Sequence, residues 1–117
     1  MKALIIDDEN DICYLLRGIL LNKNIYSDYV NSIREARRVL KSGGPGVIFL
    51  DNHLPDGKGV EFINEIKKIH PAPIVIMITA YDTPDDRKKA MDAGADYFIP
   101  KPFSRETIFH TVDLLPH

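Results

Sequence analysis

Three nearly uninterrupted apolar runs constrain the fold of this chain more than anything else in it: "ALIID" from Ala3 to Asp7, "VIFLD" from Val47 to Asp51 and "IVIMIT" from Ile74 to Thr79. Each is of strand length, and none shows the apolar–polar alternation of a sheet with one wet face. They predict strands buried on both sides. A more polar run, "YSDYV" from Tyr26 to Val30, and a fifth, "DYFIP" from Asp96 to Pro100, complete a set of five. Helical patterns fill the gaps. Ile12, Leu15, Leu16, Ile19 and Leu20 make an apolar stripe at helical spacing. Ser32 with Glu35 has the capping-box pattern and opens a second helix, with Ile33, Ala36, Val39 and Leu40 inward. A third helix runs from about Gly59 to Ile69, with Phe62, Ile63 and Ile66 inward. The fourth has Thr83 as cap, Pro84 at its first position, Asp85 and Asp86 in the first turn and Gly94 at its end. The fifth starts at Ser104 and ends near Leu115.

Strands alternating with helices across short connections imply right-handed crossovers and a parallel sheet covered on both faces. The polar second strand belongs at an edge and the most apolar runs in the middle. That is the doubly wound α/β arrangement, five parallel strands in the order 2-1-3-4-5. At 117 residues the chain holds one core, so the expected domain is 1–117. A formal charge of −2 leaves no footprint for direct nucleic-acid binding or for an anionic membrane surface. The apolar runs are too short to cross a membrane, and the lone Cys13 has no partner for a disulfide. A cytoplasmic protein is the simplest reading.

Ligands of open α/β sheets bind beyond the carboxyl ends of the strands. "LIIDDE" ends the first strand with Asp7 and Asp8, and the third ends on Asp51. In the order 2-1-3-4-5 these strands are neighbours, so the three carboxylates meet in one crevice. Two like charges about 4 Å apart repel by roughly 4 kcal/mol at an effective dielectric near 20, which calls for compensation. Mg²⁺ suits a shell of a few carboxylates, waters and phosphate oxygens. Thr79 closes the fourth strand with a hydroxyl and Lys101 follows the fifth with an ammonium, both directed at the same crevice. A nucleophilic carboxylate, a metal, a hydroxyl and a lysine suit phosphoryl transfer, with Asp51 as acceptor. Taken singly, Asp8 or Asp51 reads as a helix cap or Asx turn, Thr79 as a strand residue and Lys101 as a surface charge. Five matching residues at four strand ends favour the site.

The residues resemble the receiver domains of two-component response regulators along the whole chain: "DD" after the first strand, "DNHLPDG" around Asp51, "ITA" after the fourth strand and "KPF" after the fifth. The resemblance implies a flavodoxin-like receiver fold with Asp51 as the phosphorylation site. It makes Asp7, Asp8, Asp51 and the backbone carbonyl of His53 the Mg²⁺ ligands, and Thr79 and Lys101 the phosphate contacts. The N–H groups of Asn52 and Ala80 also face the phosphoryl group. Phe98 takes the aromatic switch position. His53 and Tyr81, two residues after the acceptor and two after the threonine, flank the path of the hydrolytic water. "KPF" implies a cis Lys101–Pro102 bond. The donor implied is a sensor histidine kinase or a phosphotransfer protein. The signal leaves through the face of the fourth helix, fifth strand and fifth helix, which is where an output domain or a second copy binds. Such a domain is no independent enzyme; its chemistry is self-phosphoryl transfer and autodephosphorylation.

Two rivals fit less well. Haloacid-dehalogenase-like phosphatases also use an Asp after an apolar strand, but with a second Asp two residues on, where this chain has His53. A flavin-binding module needs a hydroxyl-rich phosphate loop after its first strand, and "DDEND" would repel a phosphate. Asp56, Gly57 and Gly59 read as turn residues, and His70, His110 and His117 show no metal spacing.

Overall fold

The computed structural model describes residues 1–116; His117, the last residue of the expected domain, lies outside the described residues. The elements follow as β1 (Lys2–Ile6), α1 (Asn10–Leu21), β2 (Tyr26–Val30), α2 (Ile33–Lys41), β3 (Val47–Leu50), β4 (His53–Leu54), β5 (Gly57–Lys58), α3 (Gly59–Ile66), β6 (Ile74–Thr79), α4 (Pro84–Ala93), β7 (Tyr97–Pro100) and α5 (Arg105–Asp113). Five strands form a parallel sheet in the order β2-β1-β3-β6-β7. That is the order 2-1-3-4-5 of the strands expected from the sequence. The sequence did not reveal β4 and β5, an antiparallel hairpin whose two-residue strands are too short to carry a periodic signal.

Side-chain alternation explains why the central strands are apolar throughout. Leu4, Ile6, Ile48, Leu50, Val75 and Met77 face α2, α3 and α4, packing on Ala36, Phe62, Ile63 and Ala90. Their neighbours Ala3, Ile5, Val47, Phe49, Ile76 and Ile78 face α1 and α5, packing on Leu16, Leu20, Ile108 and Val112. With both faces covered, no strand position between 3 and 6 or 47 and 50 tolerates a polar residue without losing burial on one side.

The stripe expected on α1 is rotated. Leu15 is 53% exposed, and Cys13 joins Leu16, Ile19 and Leu20 in the core. The small Cys13 thiol is buried against the end of β1, its Sγ 3.5 Å from Asp7 O, and Leu15 is left exposed. Two helix ends are shorter than expected. α3 stops at Ile66 and α5 at Asp113, each followed by turns bonded i to i+3, such as Ile69 N–H to Ile66 O (3.1 Å) and Leu115 N–H to Val112 O (3.0 Å). α4 carries a reciprocal capping box between Thr83 and Asp86 and ends on Gly94 at φ 114°, a left-handed position that suits glycine. On α2, Ser32 accepts from the Glu35 N–H (3.1 Å), and the N–H groups of Ile33 and Arg34 donate to the Asp56 carboxylate (2.9 Å each). Asp56 is therefore more than a turn residue; it fastens the hairpin to α2.

Register places the site. Ile6 lies opposite Leu50 and Leu50 opposite Met77, so β1 and β3 end level while β6 runs on to Thr79, opposite Pro100 of β7. Asp7 and Asp51 each fall one residue beyond their strands, yet their N–H groups still reach the ladder at Val30 O (3.1 Å) and Ile6 O (2.9 Å).

Candidate functional site

Asp7 and Asp51 are almost completely buried where their neighbouring strands end. Asp7 Oδ1 accepts from the Glu9 N–H (2.9 Å), and Asp51 Oδ1 accepts from the Asn52 N–H (2.8 Å). Lys101 enters from the far side of the sheet. Its N–H is tied to Thr79 O (2.8 Å), and its peptide bond to Pro102 is cis, as the sequence implied. The ammonium bonds Asp7 Oδ2 (2.9 Å) and Glu9 Oε1 (3.2 Å) and stands 3.6 Å from Asp51 Oδ2.

One cation does not balance this pocket. Asp7, Asp8, Glu9 and Asp51 each bring a carboxylate oxygen within 4.8 Å of the others. Burial, with the Asp7 charge second, pushes the Asp51 carboxyl up to about 6. Burial also raises Asp7 above its ordinary value, against the bonds from Lys101 and the Glu9 N–H. For Lys101, burial pulls downward, but the bond to Asp7 and the charges of Asp51 and Asp7 outweigh it and hold the ammonium above its usual value. Four carboxylates around a single lysine leave excess negative charge, and an all-oxygen donor set is the kind that a hard divalent cation prefers. Glu9 was not among the residues singled out from the sequence. Its signal was visible as the third acid of "DDE", but the side chain belongs to the N-cap of α1 and folds back onto Lys101.

Thr79 is buried, and its Oγ1 accepts from the Tyr81 N–H (3.2 Å). It lines a cavity of about 270 Å³ together with Asn52, His53, Tyr81, Met77 and Phe98. The rings of His53 and Tyr81 stack, with centroids 3.7 Å apart and planes tilted by 35°. His53 pairs with Lys58 in the hairpin, and its side chain is exposed. Phe98 sits opposite Met77 in the sheet, half-buried, with the Arg87 guanidinium 5.1 Å from its ring centre. Asp7, Asp8, Asp51 and Lys101 thus meet in one pocket, while Thr79, His53 and Phe98 border the adjoining cavity. Cys13 is buried with its Sγ 3.5 Å from Asp7 O, and burial, then the Asp7 charge, pushes its thiol up to about 11, which suits packing rather than nucleophilic chemistry.

A doubly wound sheet with an acidic pocket and a lysine at its switch point defines a class of domain that handles a charged group at its strand ends. The chain belongs to the response regulator receiver domain family, whose model matches residues 3–113. It is 39% identical over 101 residues to the response regulator protein PilR of Pseudomonas aeruginosa, covering 86% of this chain and 23% of PilR. It is 31% identical over 111 residues to the chemotaxis protein CheY of Halobacterium salinarum, covering 95% of this chain and 92% of CheY. Among solved structures, the beryllofluoride-activated NtrC4 receiver domain dimer matches with a TM-score of 0.89 at 38% identity, over 96% of this chain and 93% of that one. A two-component response regulator from Clostridium difficile matches with a TM-score of 0.91 at 28% identity, over 97% and 93%. The chain spans 23% of PilR, 44% of the sensory transduction protein LytR of Staphylococcus saprophyticus and 49% of the transcriptional regulatory protein BasR of Escherichia coli. Among the described residues no helix is long and apolar enough to cross a membrane.

Proposed function

We propose that residues 1–117 act as one cytoplasmic signalling domain that accepts a phosphoryl group on Asp51 from the phosphohistidine of a sensor kinase or phosphotransfer protein. The observation that carries this reading is the Lys101 ammonium bound between Asp7 and Asp51, 2.9 and 3.6 Å away, in a pocket with surplus carboxylates. A carboxylate oxygen of Asp51 forms the new bond to phosphorus as the P–N bond breaks. The electron pair leaves with the ring nitrogen, and the imidazole, protonated on its other nitrogen, departs neutral. Near neutral pH the Asp51 carboxylate is available for attack because its carboxyl titrates at about 6.

Lys101 neutralises charge on the incoming phosphoryl oxygens, and the N–H of Asn52 lies beside the acceptor to meet one of them. Thr79 turns its hydroxyl to the phosphoryl group as a donor, and Ala80 offers its N–H. Asp7, Asp8, Asp51 and the carbonyl of His53 would hold Mg²⁺, with Glu9 at the edge of the same cluster. When bound, that ion supplies charge neutralisation between the carboxylates and the phosphoryl oxygens. The stacked rings of His53 and Tyr81 flank the way by which water reaches the acyl phosphate, whose hydrolysis resets the domain. Output passes through α4, β7 and α5, with Phe98 as the moving part and an output domain or a second copy as recipient.

Incubation with Mg²⁺ and acetyl phosphate, followed by intact-mass and peptide mass spectrometry, tests the assignment. Wild type should gain one labile phosphoryl group on Asp51 and Asp51→Asn none. Equal labelling of the two would refute it.

A further inference from the structure

Lys58 stands at the N-cap of α3 and its side chain makes no capping bond. The first two amides of α3 are taken by Asn52 instead. Its main-chain oxygen accepts from the Gly59 N–H (2.8 Å), and its Oδ1 accepts from the Val60 N–H (2.9 Å). The remaining main-chain group of the same residue, its N–H, donates to Asp51 Oδ1 at 2.8 Å. Gly59 closes the junction from the other side, since a Cβ there would collide with the Asp51 carbonyl oxygen. Asn52 is therefore fixed at two oxygens by the first turn of α3 while its N–H faces the acceptor. A serine or aspartate at Lys58 would serve the second or third amide of α3 and leave the Asn52 side chain untied. In this chain the helix cap and the acceptor's nearest N–H donor are one residue.

We propose, resting on the function given above, that Asn52 is a positioning residue for phosphoryl transfer: by capping α3 from outside the helix it holds its own N–H on the Asp51 carboxylate. Without the side-chain tether the Asp51–Asn52 peptide plane is freer to turn about the Cα–C bond of Asp51, and the N–H no longer waits beside the oxygen that receives phosphorus. Acetyl phosphate is a sufficient donor for the test. The Asp51 carboxylate forms an O–P bond as the O–P bond to acetate breaks, and acetate leaves with the electron pair.

Asn52→Ala should lower the melting temperature and, at a temperature well below the melts of both proteins, slow phosphorylation by about tenfold. The acetyl phosphate concentration for half-maximal rate should not change. Adding Lys58→Ser to Asn52→Ala returns a side-chain cap to α3. Melting temperature and the hydrogen-exchange protection of the Val60 amide should then recover, with the rate still about tenfold below wild type. A wild-type rate in fully folded Asn52→Ala, or a rate that recovers together with stability in the double variant, would reduce Asn52 to an ordinary helix cap and overturn the proposal. Wild type that takes no phosphate on Asp51 would overturn the proposed function and this inference with it, an outcome told apart because it appears before any variant is made.

Discussion

Lys101 and Asp7 are separated by 94 residues, yet the ammonium of one lies 2.9 Å from the carboxylate of the other with both side chains almost buried. The pair joins the turn after β7 to the end of β1, across the ends of β3 and β6 that lie between. Removing the lysine leaves Asp7 and Asp51 facing each other without a protein cation between them.

Lys101→Met should therefore lose phosphorylation and, in metal-free buffer at neutral pH, lose roughly 3 kcal/mol of stability, the usual scale for breaking a buried ion pair. Added Mg²⁺ should raise the melting temperature of the variant more than that of wild type, because it replaces the missing charge. Thermal melts with EDTA and with Mg²⁺ read both effects. Identical metal-free melts for the two proteins would show that Lys101 does not compensate these carboxylates.

The Asp51 carboxyl, raised to about 6 by burial and by Asp7, gives a pH signature of known sign. A carboxyl whose folded value exceeds its unfolded value contributes most to stability below the unfolded value, where it is protonated in both states. That contribution is lost as pH rises through about 6. Asp51→Asn removes the loss. In EDTA the variant should be more stable than wild type by about 2 kcal/mol at pH 7.5, and the gap should close between pH 6 and pH 4. Urea unfolding across that range checks it, and a gap independent of pH would show that Asp51 carries no raised carboxyl.

Asp56 predicts the opposite slope. The N–H groups of Ile33 and Arg34 hold its carboxyl below the ordinary value, so its contribution is present above the unfolded value and is lost as pH falls through the lowered folded one. Asp56→Ala should cost about 1 kcal/mol at neutral pH, as loss of a helix cap does. Hydrogen exchange should quicken at the first amides of α2 and spare α5. Unchanged protection of Ile33 and Arg34 would mean that the contact carries no energy.

What the sequence shows and what it hides follow from the range of the interactions. Val47 to Leu50 and Ile74 to Ile78 announce doubly covered strands because every side chain in them must be apolar. Once the strand order is known, their ends fix the meeting of Asp7, Asp8, Asp51 and Lys101, with Thr79 beside the adjoining cavity. The capping roles of Asp56 and Asn52 stayed hidden, since each serves a helix that it does not belong to, and no spacing rule links residue 56 to residue 33 or residue 52 to residue 60. The absent cap at Lys58 was the only local sign that something else must serve α3. Leu15 and Cys13 show the same limit on α1: periodicity gives the breadth of an apolar face, and only packing decides which edge is buried.

The last prediction concerns how the signal leaves the pocket. Thr79 Oγ1 now accepts from the Tyr81 N–H, and beside it lies the cavity of about 270 Å³ that Phe98 borders. A phosphoryl group on Asp51 offers the Thr79 hydroxyl a charge-assisted acceptor, which draws the threonine and its loop toward the pocket and widens that cavity. Phe98 then turns inward. What opposes the turn in this chain is Arg87 of α4, whose guanidinium sits 5.1 Å from the centre of the Phe98 ring while ion-paired to Asp82 at 3.3 Å. A cation–π contact near the surface contributes about 0.5–1 kcal/mol, so removing it should favour the inward state by roughly two- to fivefold. Thr79→Ala should accept phosphate yet leave Phe98 outward, and Arg87→Ala should bring it inward more readily at the same degree of phosphorylation. Amide and aromatic chemical shifts recorded with and without beryllofluoride separate these cases. Residues 83–94 and Phe98 should respond weakly in Thr79→Ala and move further toward the activated positions in Arg87→Ala. A full response in Thr79→Ala would break the link between threonine and aromatic ring, and an Arg87→Ala spectrum identical to wild type in both conditions would show that the guanidinium does not hold Phe98 in place.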